Sequence, residues 1–87
     1  MNEVLLHRRD ARYREQLPQD LRASLDAKLE SLREDPLGYP GSIGMLGRWS
    51  GYRRFRHGDL RVIYTYRPEE KRIYVNHIGP RGDVYKK

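Results

Sequence analysis

Gly51-Tyr-Arg-Arg-Phe-Arg-His-Gly-Asp-Leu-Arg-Val-Ile-Tyr-Thr-Tyr66 is the stretch on which the reading of the chain turns. It falls into two runs of aromatic and β-branched residues parted at His57-Gly58-Asp59, which predicts a hairpin with strands over roughly 52–57 and 60–67. Side chains alternate faces along a strand, so Arg54 and Arg56 share one face while Phe55 points to the other. A sheet built this way can bury its aromatic side and offer its arginine side to phosphate. Arg53, Arg54, Arg56 and Arg61 share the stretch with a single acid, Asp59.

Outward from the hairpin, the charge is unevenly spread. Residues 1–35 hold seven Lys/Arg and eight Asp/Glu, while residues 36–87 hold eleven Lys/Arg and four Asp/Glu, a net of +7 in the second part. Every aromatic residue except Tyr13 lies in that part as well. Arginines outnumber lysines 14 to 4, which favours planar, two-pronged phosphate contacts over diffuse attraction. Such a surplus is either a solvated basic face or the electrostatic footprint of a nucleic-acid binder, and the arginine and tyrosine bias points to the latter. At 87 residues the chain makes one domain, and 37% hydrophobic residues imply a thin core. The absence of cysteine excludes disulfides and Cys-based zinc sites and fits a reducing, cytoplasmic location. No apolar run approaches a membrane span, so no membrane partner is expected.

Before the hairpin, Glu3 to His7 reads as a short edge strand. Arg8 to Leu17 reads as a weakly amphipathic helix with Ala11 and Leu17 inward. Pro18 breaks it and suits the start of a second helix. Leu21, Leu25, Leu29 and Leu32 then mark one helical face, ended by Asp35-Pro36. Pro36 to Gly51, with glycines at 38, 41, 44 and 47, reads as a loop anchored by Met45, Leu46 and Trp49. Its glycines do not form a phosphate-cradling G-x-x-x-x-G-K-[ST] motif. After the hairpin, Pro68-Glu69-Glu70 turns the chain into a strand over Lys71 to Ile78, and Gly79-Pro80 ends it. The expected fold is α+β: an N-terminal strand, an αα-hairpin and a three-stranded antiparallel meander, with both helices on one face of a four-stranded antiparallel sheet.

Carboxylates and histidines are not clustered at ligand spacing, so no metal or other cofactor is expected. No Ser nucleophile sits beside an evident base. His7, His57 and His77 read as strand-end residues, unless His57 and His77 meet across the sheet. Tyr64, Tyr66 and Tyr74 read as packing residues, and Asp59 and Asp83 as turn residues. Arginine and tyrosine remain. Arg54, Arg56, Arg61, Arg81 and Tyr85 fall on consecutive strands and just beyond the last, where an antiparallel sheet can gather them. Arginine stays protonated and is a poor base, but it can hold an RNA phosphate and stabilise charge developing on it. RNA carries its own nucleophile, the 2′-hydroxyl, so positioning and positive charge suffice for strand scission. Arg48, Arg53, Arg56, Lys86 and Lys87 are expected to track the RNA backbone around a catalytic group of Arg54, Arg61, Arg81 and Tyr85.

Arg54-Phe-Arg-His-Gly-Asp-Leu-Arg61-Val-Ile-Tyr64, followed by Ile78-Gly-Pro-Arg81-Gly-Asp-Val-Tyr85, resembles the RelE/ParE superfamily of toxins from bacterial toxin–antitoxin modules. The order of helices and strands agrees with that family over essentially the whole chain. For RelE-type members the resemblance implies a ribosome-dependent endonuclease that cleaves messenger RNA and leaves a 2′,3′-cyclic phosphate. It also implies a cognate antitoxin, encoded by an adjacent gene, that silences the toxin and carries operator-DNA binding for the complex. By position, Arg61 and Arg81 match the family's phosphate-stabilising arginines, and Arg54 and Arg56 its basic pair before the Gly-Asp turn. Tyr85 matches the tyrosine that stacks on the base or orients the 2′-hydroxyl. Pro80 departs from the pattern, standing where many relatives have histidine. The sequence runs only two residues past Tyr85, so the terminal helix of some relatives is not expected. Two other readings share the scaffold: a ParE-type toxin that poisons DNA gyrase, whose members generally lack a full arginine–tyrosine set, and a non-catalytic RNA-binding module.

Overall fold

The structure is a computed structural model that describes residues 2–80. Its elements run β1 (Glu3–Leu6), α1 (Arg8–Glu15), α2 (Gln19–Glu34), β2 (Ile43–Gly44), a 3₁₀ turn (Gly47–Trp49), β3 (Arg53–His57), β4 (Leu60–Arg67) and β5 (Arg72–Pro80). The strands form one five-stranded sheet in the order β1-β5-β4-β3-β2.

The hairpin is as the sequence predicts, and so is the meander, except that Gly79-Pro80 does not end its last strand: β5 runs through Pro80, because Gly79 and Pro80 pair with Arg61 and Leu60 of β4. β3 pairs with β4 in antiparallel register from Arg53↔Tyr64 to His57↔Leu60. Gly58 at φ +60° opens the two-residue turn. A side chain there would be strained, and glycine at the first central position is what type II′ hairpin turns use. Phe55, Leu60, Val62, Tyr64, Ile73, Val75 and Ile78 point to one face and pack with Leu25, Leu29 and Leu32 of α2. The leucine spacing thus sets which side of α2 turns inward, and Leu21 lies half-buried at its margin. β4 and β5 shift register between Ile63 and Tyr64, so that Ile63 pairs with His77 but Tyr64 with Val75. The extra residue in β5 lets Val75 and Ile78, three apart, both face the helices.

Three expectations are corrected. The sheet has five strands, because the loop contributes β2, paired antiparallel through Ile43↔Arg54 and Gly44↔Arg53. It is mixed, because edge strand β1 runs parallel to β5, from Glu3↔Arg72 to Leu6↔Val75. A parallel β1 delivers α1 alongside the second half of β5, where, on the side away from β4, no strand pairs with it among the described residues. There the Ile78 N–H donates to Asp10 Oδ1 at 3.1 Å and Arg9 Nη2 donates to the Asn76 carbonyl at 3.1 Å. The fully buried residue of α1 is accordingly Asp10, while Ala11 and Leu17 are half-buried. Leu46, expected as an anchor, is 89% exposed. Met45 is buried, but with Ile63, Trp49 and Tyr52 on the face away from the helices, a small second core beneath the folded-back loop.

Candidate functional site: a cationic face on the hairpin

On the face opposite the helices, β3 presents Arg54 and Arg56, and β4 presents Arg61, Ile63, Thr65 and Arg67. Arg56 pairs directly with Arg61, and Arg54 with Ile63. Directly opposed residues hold their Cβ atoms about 4.5–5.5 Å apart, and two like charges so placed repel. Arg61 is buried, at 6% exposure, whereas Arg56 is exposed and Arg54 half-buried. Among the described residues no ion pair joins Arg48, Arg53, Arg54 or Arg56 to a carboxylate, although Arg9 and Arg33 each have one and Arg14 and Arg72 each have two. Asp59 sits exposed in the hairpin turn. A surface that opposes guanidinium groups and pairs neither Arg54 nor Arg56 with a carboxylate among the described residues is suited to a multivalent oxyanion, which can accept from several N–H donors at once.

The other candidates divide. Arg53 points to the helix side: its Nε donates to Ser42 Oγ at 2.8 Å and its Nη2 to the Ser42 carbonyl at 3.2 Å. Ser42 Oγ also lies 2.6 Å from the Tyr64 hydroxyl, which donates to the Pro36 carbonyl. Arg53 therefore fastens the 36–42 loop to the core. Arg48 is exposed on the 3₁₀ turn. Arg81, Tyr85, Lys86 and Lys87, together with Asp83, lie outside the described residues. Arg54, Arg56 and Arg61 are the members of the set that the fold brings together, and Gly79 of β5 lies directly opposite Arg61.

His57 and His77 do not meet. His57 faces the helices, with Nε2 2.7 Å from Ser24 Oγ of α2. Burial, then the charge of Lys28, pushes its pKa below the ordinary value of 6.5. His7 caps α1, its Nδ1 accepting the Arg9 N–H at 3.1 Å. His77 pairs with Ile63 on the cationic face. A Cβ placed on Gly79 would come within 2.7 Å of His77 Nε2, so the imidazole lies over the glycine that stands opposite Arg61. The sequence reading treated His77 as a strand-end residue. The signal available to it was the small residue two positions later, which leaves room for a ring on the same face.

Among the described residues no three His, Asp or Glu side chains gather as a ligand set for a metal. No helix among the described residues is long and apolar enough to cross a membrane.

Against known proteins, the family model for the ParE toxin of type II toxin–antitoxin system, parDE, matches residues 6–85. No curated protein matches the sequence. Among solved structures, the chain is similar to the archaeal RelE–RelB complex of Pyrococcus horikoshii, at 25% identity over 94% of this chain and 97% of that one, with a TM-score of 0.80. The RelBE2 toxin–antitoxin complex of Mycobacterium tuberculosis matches at 18% identity over 92% and 98%, with a TM-score of 0.79. The isolated RelE toxin of Escherichia coli matches at 18% over 98% and 92%, with a TM-score of 0.76. At 18% identity the last two likenesses speak for the fold alone.

Proposed function

The chain belongs to the ParE toxin family of type II toxin–antitoxin systems, within the RelE/ParE superfamily, and from that premise we propose that it is a ribosome-dependent endoribonuclease that cuts messenger RNA and arrests translation. The observation that carries this reading is the grouping of Arg54, Arg56 and Arg61 on one sheet face, with Arg56 opposed to Arg61 and no carboxylate paired to Arg54 or Arg56 among the described residues.

In this mechanism the arginines bind the scissile phosphodiester and hold the strand so that the 2′-hydroxyl lines up behind the phosphorus. A base removes the 2′-hydroxyl proton, and the oxygen attacks phosphorus. The P–O5′ bond breaks, and the departing oxygen takes a proton, leaving a 2′,3′-cyclic phosphate and a 5′-hydroxyl. Arg61, buried and pre-oriented, offsets the charge that grows on the non-bridging oxygens. His77, over Gly79 beside Arg61, is the group we assign to proton transfer, and it stands in for the histidine that Pro80 replaces. Arg81 and Tyr85 complete the set, Arg81 as a second phosphate ligand and Tyr85 as the group that stacks on or orients the reacting nucleotide.

The partner is a cognate antitoxin from an adjacent gene, an acidic, partly disordered chain suited to a surface with net charge +7 over residues 36–87. The RelE–RelB complex solved for the P. horikoshii relative supports this. The free toxin then meets ribosomes and mRNA in the cytoplasm, while the complex binds operator DNA through the antitoxin.

The match to the ParE toxin model supports a second reading, a ParE-type toxin, for which the resemblance implies inhibition of DNA gyrase. Inducing the chain in a bacterium and mapping transcript ends and DNA breaks together separates the two. Cuts within translated codons are expected. Gyrase-linked double-strand breaks without such cuts would replace the endonuclease by the gyrase reading, and neither lesion with normal growth would leave a non-catalytic RNA binder.

A further inference from the structure

The cationic face continues past the arginines into a cavity of about 570 Å³. Thr65 and Arg67 extend the alternation of Arg61 and Ile63 along β4, so the cavity begins four residues from Arg61, roughly 13 Å at about 3.3 Å per residue. Ile63, between Arg61 and Thr65 on this face of β4, packs with Met45, Trp49 and Tyr52. Tyr52 and Tyr74 line the cavity together with the polar residues Thr65, Arg67, Glu70 and Asn76.

Those polar groups form a donor and acceptor pattern. Thr65 Oγ1 donates to Asn76 Oδ1 at 2.6 Å, which holds the amide by its oxygen. The two Nδ2 donors of Asn76 have no partner among the described residues. Tyr74 Oη donates to Glu70 Oε1 at 2.7 Å, leaving Oε2 of that carboxylate able to accept. Arg67 is exposed and carries no ion pair among the described residues. Asn76 is also the extra residue of the β5 bulge, skipped between Ile63↔His77 and Tyr64↔Val75. Bulges re-aim side chains beside functional sites. Neither the core nor the pairing of β5 requires an amide at this position, since Val75 and Ile78 supply the packing.

Single-stranded RNA is recognised by splaying a base onto aromatic side chains and reading its edge with hydrogen bonds. Here two rings, amide and guanidinium donors, and a carboxylate acceptor share one cavity on the face that holds the arginine cluster. We propose that this cavity is a subsite for one nucleobase of the RNA whose backbone lies on Arg54, Arg56 and Arg61, and that the base it prefers is guanine. Guanine presents a carbonyl oxygen to Asn76 and Arg67 and two adjacent N–H donors to the Glu70 carboxylate. Adenine and cytosine lack the ring N–H beside the carbonyl, and uracil has one donor where guanine has two. The assignment rests on the endonuclease reading for its biological meaning, but base binding does not depend on cleavage.

The test is a titration of the isotope-labelled full chain with guanosine, adenosine, cytidine and uridine 5′-monophosphates, following the Asn76 side-chain amide and the Tyr74 ring by NMR. Guanosine monophosphate should shift both and bind at least about tenfold more tightly than the other three. Asn76→Asp, which replaces the donor by an acceptor at constant size, and Glu70→Gln in the exposed turn, should each weaken it by about tenfold or more. Equal affinity for all four nucleotides, or guanosine binding untouched by both substitutions, overturns the subsite. In cells, guanine should be enriched at one fixed position relative to the cut, and Asn76→Asp should flatten that enrichment. Cleavage without guanosine binding sinks the subsite and spares the endonuclease. Guanosine binding at Asn76 without cleavage does the reverse.

Discussion

If Arg54, Arg56 and Arg61 form an anion site, inorganic phosphate must stabilise the folded chain, and substituting the two β3 arginines must abolish that effect. Two guanidinium charges about 6 Å apart repel by roughly 1–3 kcal/mol for an effective dielectric between water and a protein surface. A bound phosphate reverses that sign for each arginine it touches. A site that binds phosphate with a Kd of about 1 mM gains, at 10 mM ligand, about 1.4 kcal/mol from RT ln(1 + [L]/Kd). For a domain of this size each kcal/mol moves the melting temperature by about 4–8 °C, so a rise of about 6–11 °C is expected. The assay is thermal unfolding at low ionic strength, with sodium chloride matched to each phosphate concentration, because chloride relieves repulsion by screening alone. Arg54→Gln/Arg56→Gln should lose the phosphate increment and melt slightly higher than the parent in chloride. A phosphate effect no larger than that of chloride, or one retained in full by the double variant, would refute a shared anion site.

Arg61→Ala should reduce mRNA cleavage by about 10²–10³, as for loss of one donor at a developing oxyanion, scored by transcript-end counts after induction. His77→Gln should lower the same counts by about 10²–10⁴ and remove any acid limb from the pH–rate profile of the parent; an unchanged profile would exclude His77 as the proton-transfer group. His57, whose pKa burial pushes below 6.5, adds stability that is complete above that value and fades as pH falls from 6.5 through the lower folded-state value, because the unfolded chain takes the proton first. Urea midpoints at pH 7.5 and 5.5 should therefore differ less in His57→Gln than in the parent. Tyr64→Phe should cost about 1–3 kcal/mol by urea denaturation, since it strips the buried Pro36 carbonyl and the Ser42 hydroxyl of their shared partner.

The hairpin, the leucine face of α2 and the opposition of Phe55 to Arg54 and Arg56 are legible along the chain, because each follows from a period of 2 or 3.6 residues or from a turn that needs glycine. The sequence also carried the family, whose model matches residues 6–85. What only the tertiary structure decided are features with no local period. β1 runs parallel to β5 because α1 must cover the open edge of β5, where Asp10 takes the Ile78 N–H, a contact between residues 68 apart in sequence. Alternation puts Arg53 on the face opposite Arg54, but only the folded-back loop brings Ser42 to it and makes it a fastener. His77 enters the cationic face, and Asn76 the cavity beyond it, because one extra residue in β5 shifts the register there. Strand pairing and bulge position are settled by which long-range contacts bury the core and satisfy the edge, and no single segment holds that information.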